Sequence, residues 1–323
     1  VRRLLIMIPT LLVISFITFS IIKLPPGDFL SNQIAELQSQ GDKAALEKVE
    51  FLRKQYGLDK PFLEQYGVWV GMWPAEGKFS GLLQGDLGYS HRLRTNVNSF
   101  IWDRVKNTGI LAAIAFAIIA PLSVFLGVAA GMREGSRLDR VISVLSTVTT
   151  SIPEFAMGAL LLTIFVVGFG VLPGTTPLDP SGPWSIPAQL VLPVLTLMMY
   201  YLGYLVRMVR ASMVEVMTRP YIRTAVLKGL TFREVVTKHA LRNALITPFT
   251  AILLQINFLF TSVVVVEAIF GMPGFGRELV SAALGKDVAT VEAATLFAVF
   301  LVVVSQAIGD FAYMLLNPRI RFA

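Results

Sequence analysis

YIRTAVLKGLTFREVVTKHALRNALITP, Tyr221 to Pro248, separates two apolar runs that are each long enough to cross a bilayer. It carries Arg223, Lys228, Arg233, Lys238 and Arg242, and its pattern predicts two short helices hinged at one glycine. Pro220 suits a first helical turn, and Lys228-Gly229 suits a helix end, the lysine favoured by the helix dipole and the glycine free to take φ > 0. Thr231 and Glu234 then form a T-x-x-E capping box, with Leu230 and Val235 at the two positions of a hydrophobic staple, so a second helix begins at once. Glu234 and Lys238 stand i, i+4 with the acid first, the favourable order. Caps worth about 1 kcal/mol each would be surplus in a plain connector. Two readings follow: an amphipathic pair lying on anionic headgroups, or a docking surface for a cytoplasmic partner.

The flanking sequence is that of a membrane protein. Of 323 residues, 54% are hydrophobic and only 15% charged, and the mean hydropathy is +0.67. Apolar blocks of roughly 20 residues recur, the length a helix needs to span about 30 Å of hydrocarbon. An outer-membrane barrel would instead need stretches of about ten residues with period-two alternation. Six spans are expected: about Leu4 to Ile22, Thr108 to Gly131, one within Val141 to Leu172, Ala188 to Val206, Leu245 to Glu267, and Ala289 to Leu316. The first resembles a signal peptide but has no small-x-small cleavage site, which favours an uncleaved anchor. The third interval is too long for one straight crossing, and Pro153 is expected to divide it into an interfacial helix and a span.

Charge sets the orientation. Fifteen of the 28 Lys and Arg residues fall at the two termini, in the second-to-third loop and in the fourth-to-fifth loop, 207–244. The third-to-fourth loop has none and the fifth-to-sixth only Arg277 and Lys286, so both termini are expected to be cytoplasmic. The net charge of +7 reports this inner-face bias and gives no support to nucleic-acid binding. The chain thus divides into an anchor helix (1–22), an external segment (23–107) and a five-helix core (108–323). The external segment is expected to fold. Ala45, Val49, Leu52 and Tyr56 recur at helical spacing between Asp42 and Gly57, and TNVNSFIWDRVKNT puts Val97, Phe100, Ile101 and Val105 on one face, with Trp102 suited to the membrane interface.

Several chemistries are excluded. There is no cysteine, His91 and His239 have no ligand-spaced partner, and no G-x-x-x-x-G-K-[ST] occurs. If ATP drives this protein, another chain binds it. Glu154 and Glu267 are the acids nearest the hydrocarbon, where a carboxylate is a functional candidate by default. The alternative is interfacial: Glu154 follows Pro153 at a helix start, where it suits the dipole, and Glu267 closes its span. Pro153, Phe155 and Gly158 either bend the third span along a pore or make a structural kink.

The segment RTAVLKGLTFREVVTKHALRNALI resembles the cytoplasmic EAA loop of integral membrane subunits of ATP-binding-cassette importers, and more narrowly the peptide and nickel permeases of the dipeptide and oligopeptide permease B type. Further matches run in order along the chain: PPGD (Pro25 to Asp28), YGLDKP (Tyr56 to Pro61), GDLGYS (Gly85 to Ser90), GSRLDR (Gly135 to Arg140), SIPEF with Gly158, HALRNAL (His239 to Leu245), VVVEAIFGMPGFGREL (Val264 to Leu279) and NPRIR (Asn317 to Arg321). The sequence departs from the family at Arg223, which stands where the loop has its glutamate, followed by Thr224 and Ala225, while Ala225 and Gly229 keep their spacing. WPAEGKFSG, Trp73 to Gly81, looks like an insertion.

The resemblance implies the type I importer (MetI-like) permease fold, an all-α polytopic membrane protein in a bacterial or archaeal cytoplasmic membrane. It implies a chain that is not itself an enzyme and forms half of a pore, with a second homologous permease, two cytoplasmic ATPase subunits holding ATP and magnesium, and an external solute-binding protein. Its cargo would be a peptide or a related small solute. Arg223, Thr224, Ala225, Gly229, Thr231, Arg233, Glu234 and His239 would couple to an ATPase. Pro153, Glu154, Phe155, Gly158 and Glu267 are pore or gate candidates, and Pro273, Gly274, Gly276 and Arg277 would lie near the external gate and the binding protein. An ion-coupled secondary transporter would share the apolar spans but usually needs midplane charges, which the second, fourth, fifth and sixth spans lack at their centres. A membrane scaffold would allow the capped loop without predicting the ordered motifs.

Overall fold

The computed structural model describes residues 2–23, 59–74 and 77–316, with helical backbone alone for 2–8 and 308–316. The external helix expected around Ala45 to Tyr56 lies outside the described residues, as do PPGD and NPRIR. The chain forms two compact units, Val1–Val105 with Glu278–Val303, and Lys106–Arg277 with Val304–Ala323.

In the first unit, α1 (Arg2–Lys23) meets α2 (Phe62–Val70) through aromatic rings. Phe16 lies edge-on to Tyr66 at 5.1 Å, Phe19 is fully buried, and Ser15 and Tyr66 share a hydrogen bond of 2.8 Å. A two-stranded antiparallel hairpin pairs β1 (Tyr89–Ser90) with β2 (Thr95–Asn96). Asn98 then begins α3 (Asn98–Gly131), its side chain accepting from the Leu87 N–H at 2.9 Å. From Asn98 onward the amphipathic stretch and the expected second span are one helix of 34 residues. Val97 and Ile101 point inward, while Trp102 is exposed and meets Phe297 edge-on at 5.6 Å.

The second unit is built on α6 (Ile186–Met217), which runs on past the expected end at Val206 and carries Arg207 and Arg210 in helical conformation. Against it pack α4 (Arg137–Ser151), α5 (Glu154–Leu162), which continues as a π-helical turn to Gly168, and α10 (Ile246–Ile269). Leu197, Leu205, Val263 and Val266 form the fully buried centre. The chain breaks at Pro153 as its sequence requires, and α4 and α5 meet at 101°. Gly127 and Gly131 of α3 form a small-residue seam on which α6 lies. A methyl group at Gly127 would fall 2.5 Å from Val209 Cβ, and one at Gly131 2.7 Å from Met213 Cβ.

Among the described residues, α3, α6, α10 and α12 (Val288–Leu316) are long and apolar enough to cross a membrane, and the bent pair α4–α5 raises the number to five. The first expected span, Leu4 to Ile22, corresponds to α1, in which Pro9–Lys23 is a shorter apolar helix.

Arg210 explains the length of α6. Asp139, 2% exposed, accepts from Arg210 Nη2 at 2.8 Å and from the Gly135 N–H at 2.8 Å, and Ser136 caps α4 by accepting from the Asp139 N–H. Removing one partner of a pair this enclosed leaves the other charge stranded. Asp139→Ala is expected to cost about 2 kcal/mol, discounted because the guanidinium keeps some solvent contact. The check is thermal melting of the purified permease in detergent, where an unchanged midpoint would show the pair to be idle.

Candidate functional site

Three arrangements use the residues that the sequence singles out. The first is the elbow. α7 (Pro220–Leu227) ends at Lys228, and Gly229 turns the chain with φ +79°. Thr231 then opens α8 (Phe232–Glu234) with both halves of the capping box formed: the Glu234 N–H donates to Thr231 Oγ1 at 3.4 Å, and the Thr231 N–H donates to Glu234 Oε2 at 3.2 Å. Lys238 donates to Glu234 Oε1 at 3.1 Å. The second helix departs from the regular form the sequence suggests: Val235–Ala240 is π-helical, and α9 (Leu241–Ala244) leads into α10.

One face of the elbow is a small core of its own. Ile222, Ala225, Val235, Val236, Ala240 and Ala244 are buried with Met213 of α6, and Leu230, Val128 and Met132 pack at the edge. The staple pair Leu230 and Val235 thus share one cluster. Two hydrogen bonds tie the elbow down, from Ser212 Oγ to the Ala244 carbonyl at 2.7 Å and from Asn243 Nδ2 to Tyr221 Oη at 3.1 Å. Arg223, Thr224, Gly229, Thr231 and Arg233 face outward, His239 is half-buried, and Ala225 is buried in the elbow itself. A docking partner would therefore meet the first five, while Ala225 packs in one cluster with Met213 of α6.

The second arrangement is the turn after α10. Glu267 is fully buried, and its carboxylate accepts from the Thr108 hydroxyl and, at 3.0 Å, from the Arg277 N–H. Thr108 Oγ1 in turn accepts from the Phe275 N–H at 2.8 Å, and Asn107 Nδ2 donates to the Pro273 carbonyl at 2.9 Å. Glu267 therefore holds the GMPGFG turn to the start of the second span, and with Thr108 it satisfies two of the first backbone donors of α11 (Phe275–Leu284), those of Arg277 and Phe275. Gly274 and Gly276 are buried; a methyl group at Gly274 would fall 2.0 Å from Glu267 Oε1. The Arg277 guanidinium is exposed and donates to the Gly271 carbonyl of the same turn.

The third is a cavity of about 500 Å³ at the Pro153 break. It is walled by Thr150 and Glu154 at the broken end, by Tyr200, Tyr201 and Tyr204 of α6, and by Gln255, Phe258, Thr261 and Ser262 of α10. Glu154 alone of the four candidates on the third span lines it; Gly158 is buried against Ile269 and Thr196, while Phe155 is exposed. The tyrosines and the polar α10 residues were missed in the sequence. YYLGY could have been found as a cluster of hydroxyl-bearing rings within an apolar run. Among the described residues no group of three or more His, Asp or Glu side chains converges.

Comparison with known proteins fixes the class. Residues 123–322 match the family described as the binding-protein-dependent transport system inner membrane component, and 1–112 match the N-terminal module described for such membrane components. A Brucella abortus chain provisionally named as a peptide transport system permease protein is 36% identical over 318 residues, 98% of this chain and 96% of its own. The oligopeptide transport system permease protein AppB of Bacillus subtilis is 33% identical over 326 residues, covering 100% of this chain and 98% of AppB. The glutathione transport system permease protein GsiC of Escherichia coli is also 33% identical, over 322 residues, 100% of this chain and 98% of GsiC. Among solved structures, an amino acid ABC transporter superposes with a TM-score of 0.53 at 14% identity, over 67% of this chain and 94% of that one. The inward-facing MetNI methionine ABC transporter gives 0.51 at 20%, over 68% and 96%. The chain is an ABC-importer permease, a member of the binding-protein-dependent transport system inner membrane component family.

Two predictions follow from the geometry. At Gly229 a methyl group would meet nothing within 4 Å, so alanine there costs only backbone strain, about 1 kcal/mol. Gly274→Ala must displace a buried carboxylate and is expected to cost more than Gly229→Ala, read as a larger drop in melting temperature; the reverse order would show that Glu267 does not hold the turn. The Glu234 carboxyl is held below the usual carboxylate range by the Lys238 ammonium and then by the Thr231 hydroxyl and N–H. Its stabilisation is complete above the ordinary pKa of about 4.3 and is lost as pH falls through the lowered folded value. Hydrogen-exchange protection of 231–240, corrected for intrinsic rates, is expected to be flat from pH 8 to about 5 and to fall in acid. Glu234→Gln should remove that acid-dependent step.

Proposed function

We infer that this chain is one of two pore-forming permease subunits of an ATP-driven importer, coupled to cytoplasmic ATPase subunits through the elbow at 221–245. The carrying observation is the elbow's construction: two capped short helices whose inner face is buried on Met213 and whose outer face presents Arg223, Thr224, Gly229, Thr231 and Arg233. A surface that only rested on headgroups would need no fixed geometry. One that transmits a rigid-body displacement must not fray, and the caps, the Ser212 tether and the buried seam all oppose fraying.

ATP and magnesium belong to the two ATPase chains on this reading, and this subunit is non-catalytic. An external binding protein delivers solute on the side of the GMPGFG turn, where Pro273 and Arg277 are the candidates for contact. Both termini lie in the cytoplasm, following the basic residues of 207–242 and of the second-to-third loop. The span count is six when α1 is included and α4–α5 is taken as one crossing. The names of the relatives support a peptide as cargo.

The test is the assembled transporter in proteoliposomes with its binding protein. Thr231→Ala removes a cap worth about 1 kcal/mol, which lowers the fraction of ordered elbow and is expected to reduce the stimulation of ATP hydrolysis by loaded binding protein about fivefold once the elbow is marginal. Glu234→Ala in the same chain should deepen the loss. Stimulation unchanged in the double variant, or solute uptake by this chain without ATP, would overturn the reading.

A further inference from the structure

The cavity at the Pro153 break has chemistry that the coupling reading does not use. Its single acid is Glu154, and no Lys, Arg or His lines it. Glu154 Oε2 is withdrawn from solvent and has no hydrogen-bond partner. Leaving a buried carboxylate oxygen unmatched is costly, and such groups are retained where something arrives to satisfy them. The opposite wall is aromatic. Tyr200 and Tyr201 stand edge-to-face at 5.0 Å, and Tyr204 is on the same helix. Tyr201 is fixed by its own bonds, donating to the Phe258 carbonyl at 2.8 Å and sharing a 2.5 Å hydrogen bond with Ser262. Its ring is therefore not free to swing away.

A carboxylate facing aromatic rings in a site without basic groups favours a cation. The carboxylate accepts a charge-assisted hydrogen bond, and ring faces attract an ammonium through their quadrupole. Gln255, Thr150 and Thr261 add hydrogen-bonding groups at the margin, suited to neighbouring amides. The volume is within the range of small-molecule sites. We propose that the cavity walled by Glu154, Tyr200, Tyr201 and Tyr204 is a solute site that receives a protonated amine, such as the free amino terminus of a short peptide. This rests on the importer reading above and gives it a substrate class: solutes carrying an ammonium group.

The test uses the purified transporter, both permeases with their ATPases and without binding protein, titrated calorimetrically with alanyl-phenylalanine amide and with its N-acetyl derivative. The two probes differ at the amino terminus, charged in one and acylated in the other. In the natural protein the free amine is expected to bind at least about tenfold more tightly, the factor set by one charge-assisted hydrogen bond. Glu154→Gln should abolish the preference, Glu154→Asp should keep part of it, and Tyr204→Leu should weaken the free amine about threefold while sparing the acetylated probe. Equal affinity of the two probes in the natural protein, or a preference that survives Glu154→Gln, would overturn the proposal. So would a cavity that binds neither probe because the second permease fills it. Stimulation of ATP hydrolysis by loaded binding protein is read on the same preparation: normal stimulation without amine preference sinks this inference alone, whereas no stimulation in the natural protein sinks the importer reading beneath it.

Discussion

Met213 is the residue through which the second unit holds together. It is fully buried, it closes on Gly131 of α3, where not even a methyl group would fit, and it forms the floor on which Ile222, Ala225, Val235 and Ala240 of the elbow pack. Lipid tails are as apolar as a methionine, so nothing hydrophobic drives these helices together inside a membrane; close packing along small residues and satisfied polar pairs must do it. The seam at Gly127 and Gly131 supplies the first and the Asp139–Arg210 pair supplies the second. The elbow is thus continuous with the span packing.

That continuity reaches the cavity. α6 is unbroken from Ile186 to Met217, and Tyr201 lies 12 residues before Met213 on it, about 18 Å along the axis. A stiff helix cannot move at its Met217 end without moving Tyr200, Tyr201 and Tyr204. Thr150 and Glu154 belong to α4 and α5, separated by the Pro153 break, so the two walls of the cavity have different degrees of freedom. A displacement delivered at the elbow would change the spacing between Glu154 and the tyrosines, a geometric coupling that needs no chain of intermediary contacts.

The elbow was legible because capping is local: Pro220, Gly229, Thr231 and Glu234 state their conformations within a few residues of one another. The break at Pro153 was legible for the same reason. The π-helical turn at Val235–Ala240 was not, since VVTKHA satisfies a 3.6-residue period as well as a wider one, and the choice is made by tertiary burial of Val235, Val236 and Ala240. The partners of Glu267 were not legible either. Its place at the end of an apolar run suggests an interfacial or gating acid, yet its partners, Thr108 and the Arg277 N–H, come from a distant helix and from beyond a tight turn. Only the fold brings them within reach. Ala225, to which the resemblance gives a coupling role, is buried by its own chain.

The withdrawn acids of the second unit sort by what answers them. Asp139 has a guanidinium, the Gly135 N–H and the Ser143 hydroxyl; Glu267 has a hydroxyl and a backbone N–H. Each fixes one element against another, and each is answered on both oxygens. Glu154 has an oxygen, Oε2, that nothing answers, beside a break where backbone hydrogen bonding is interrupted. Irregular backbone at membrane depth is tolerated only where protein buries it or where it lines a water-filled space. Thr150 and Ser151 donate back to the carbonyls of Ser146 and Thr147, within the last turns of α4. The same interruption opens room for a solute and leaves a carboxylate oxygen pointing at it. A straight span would have been easier to stabilise, which makes the broken helix and its unmatched charge a single feature, explained together by something that binds there.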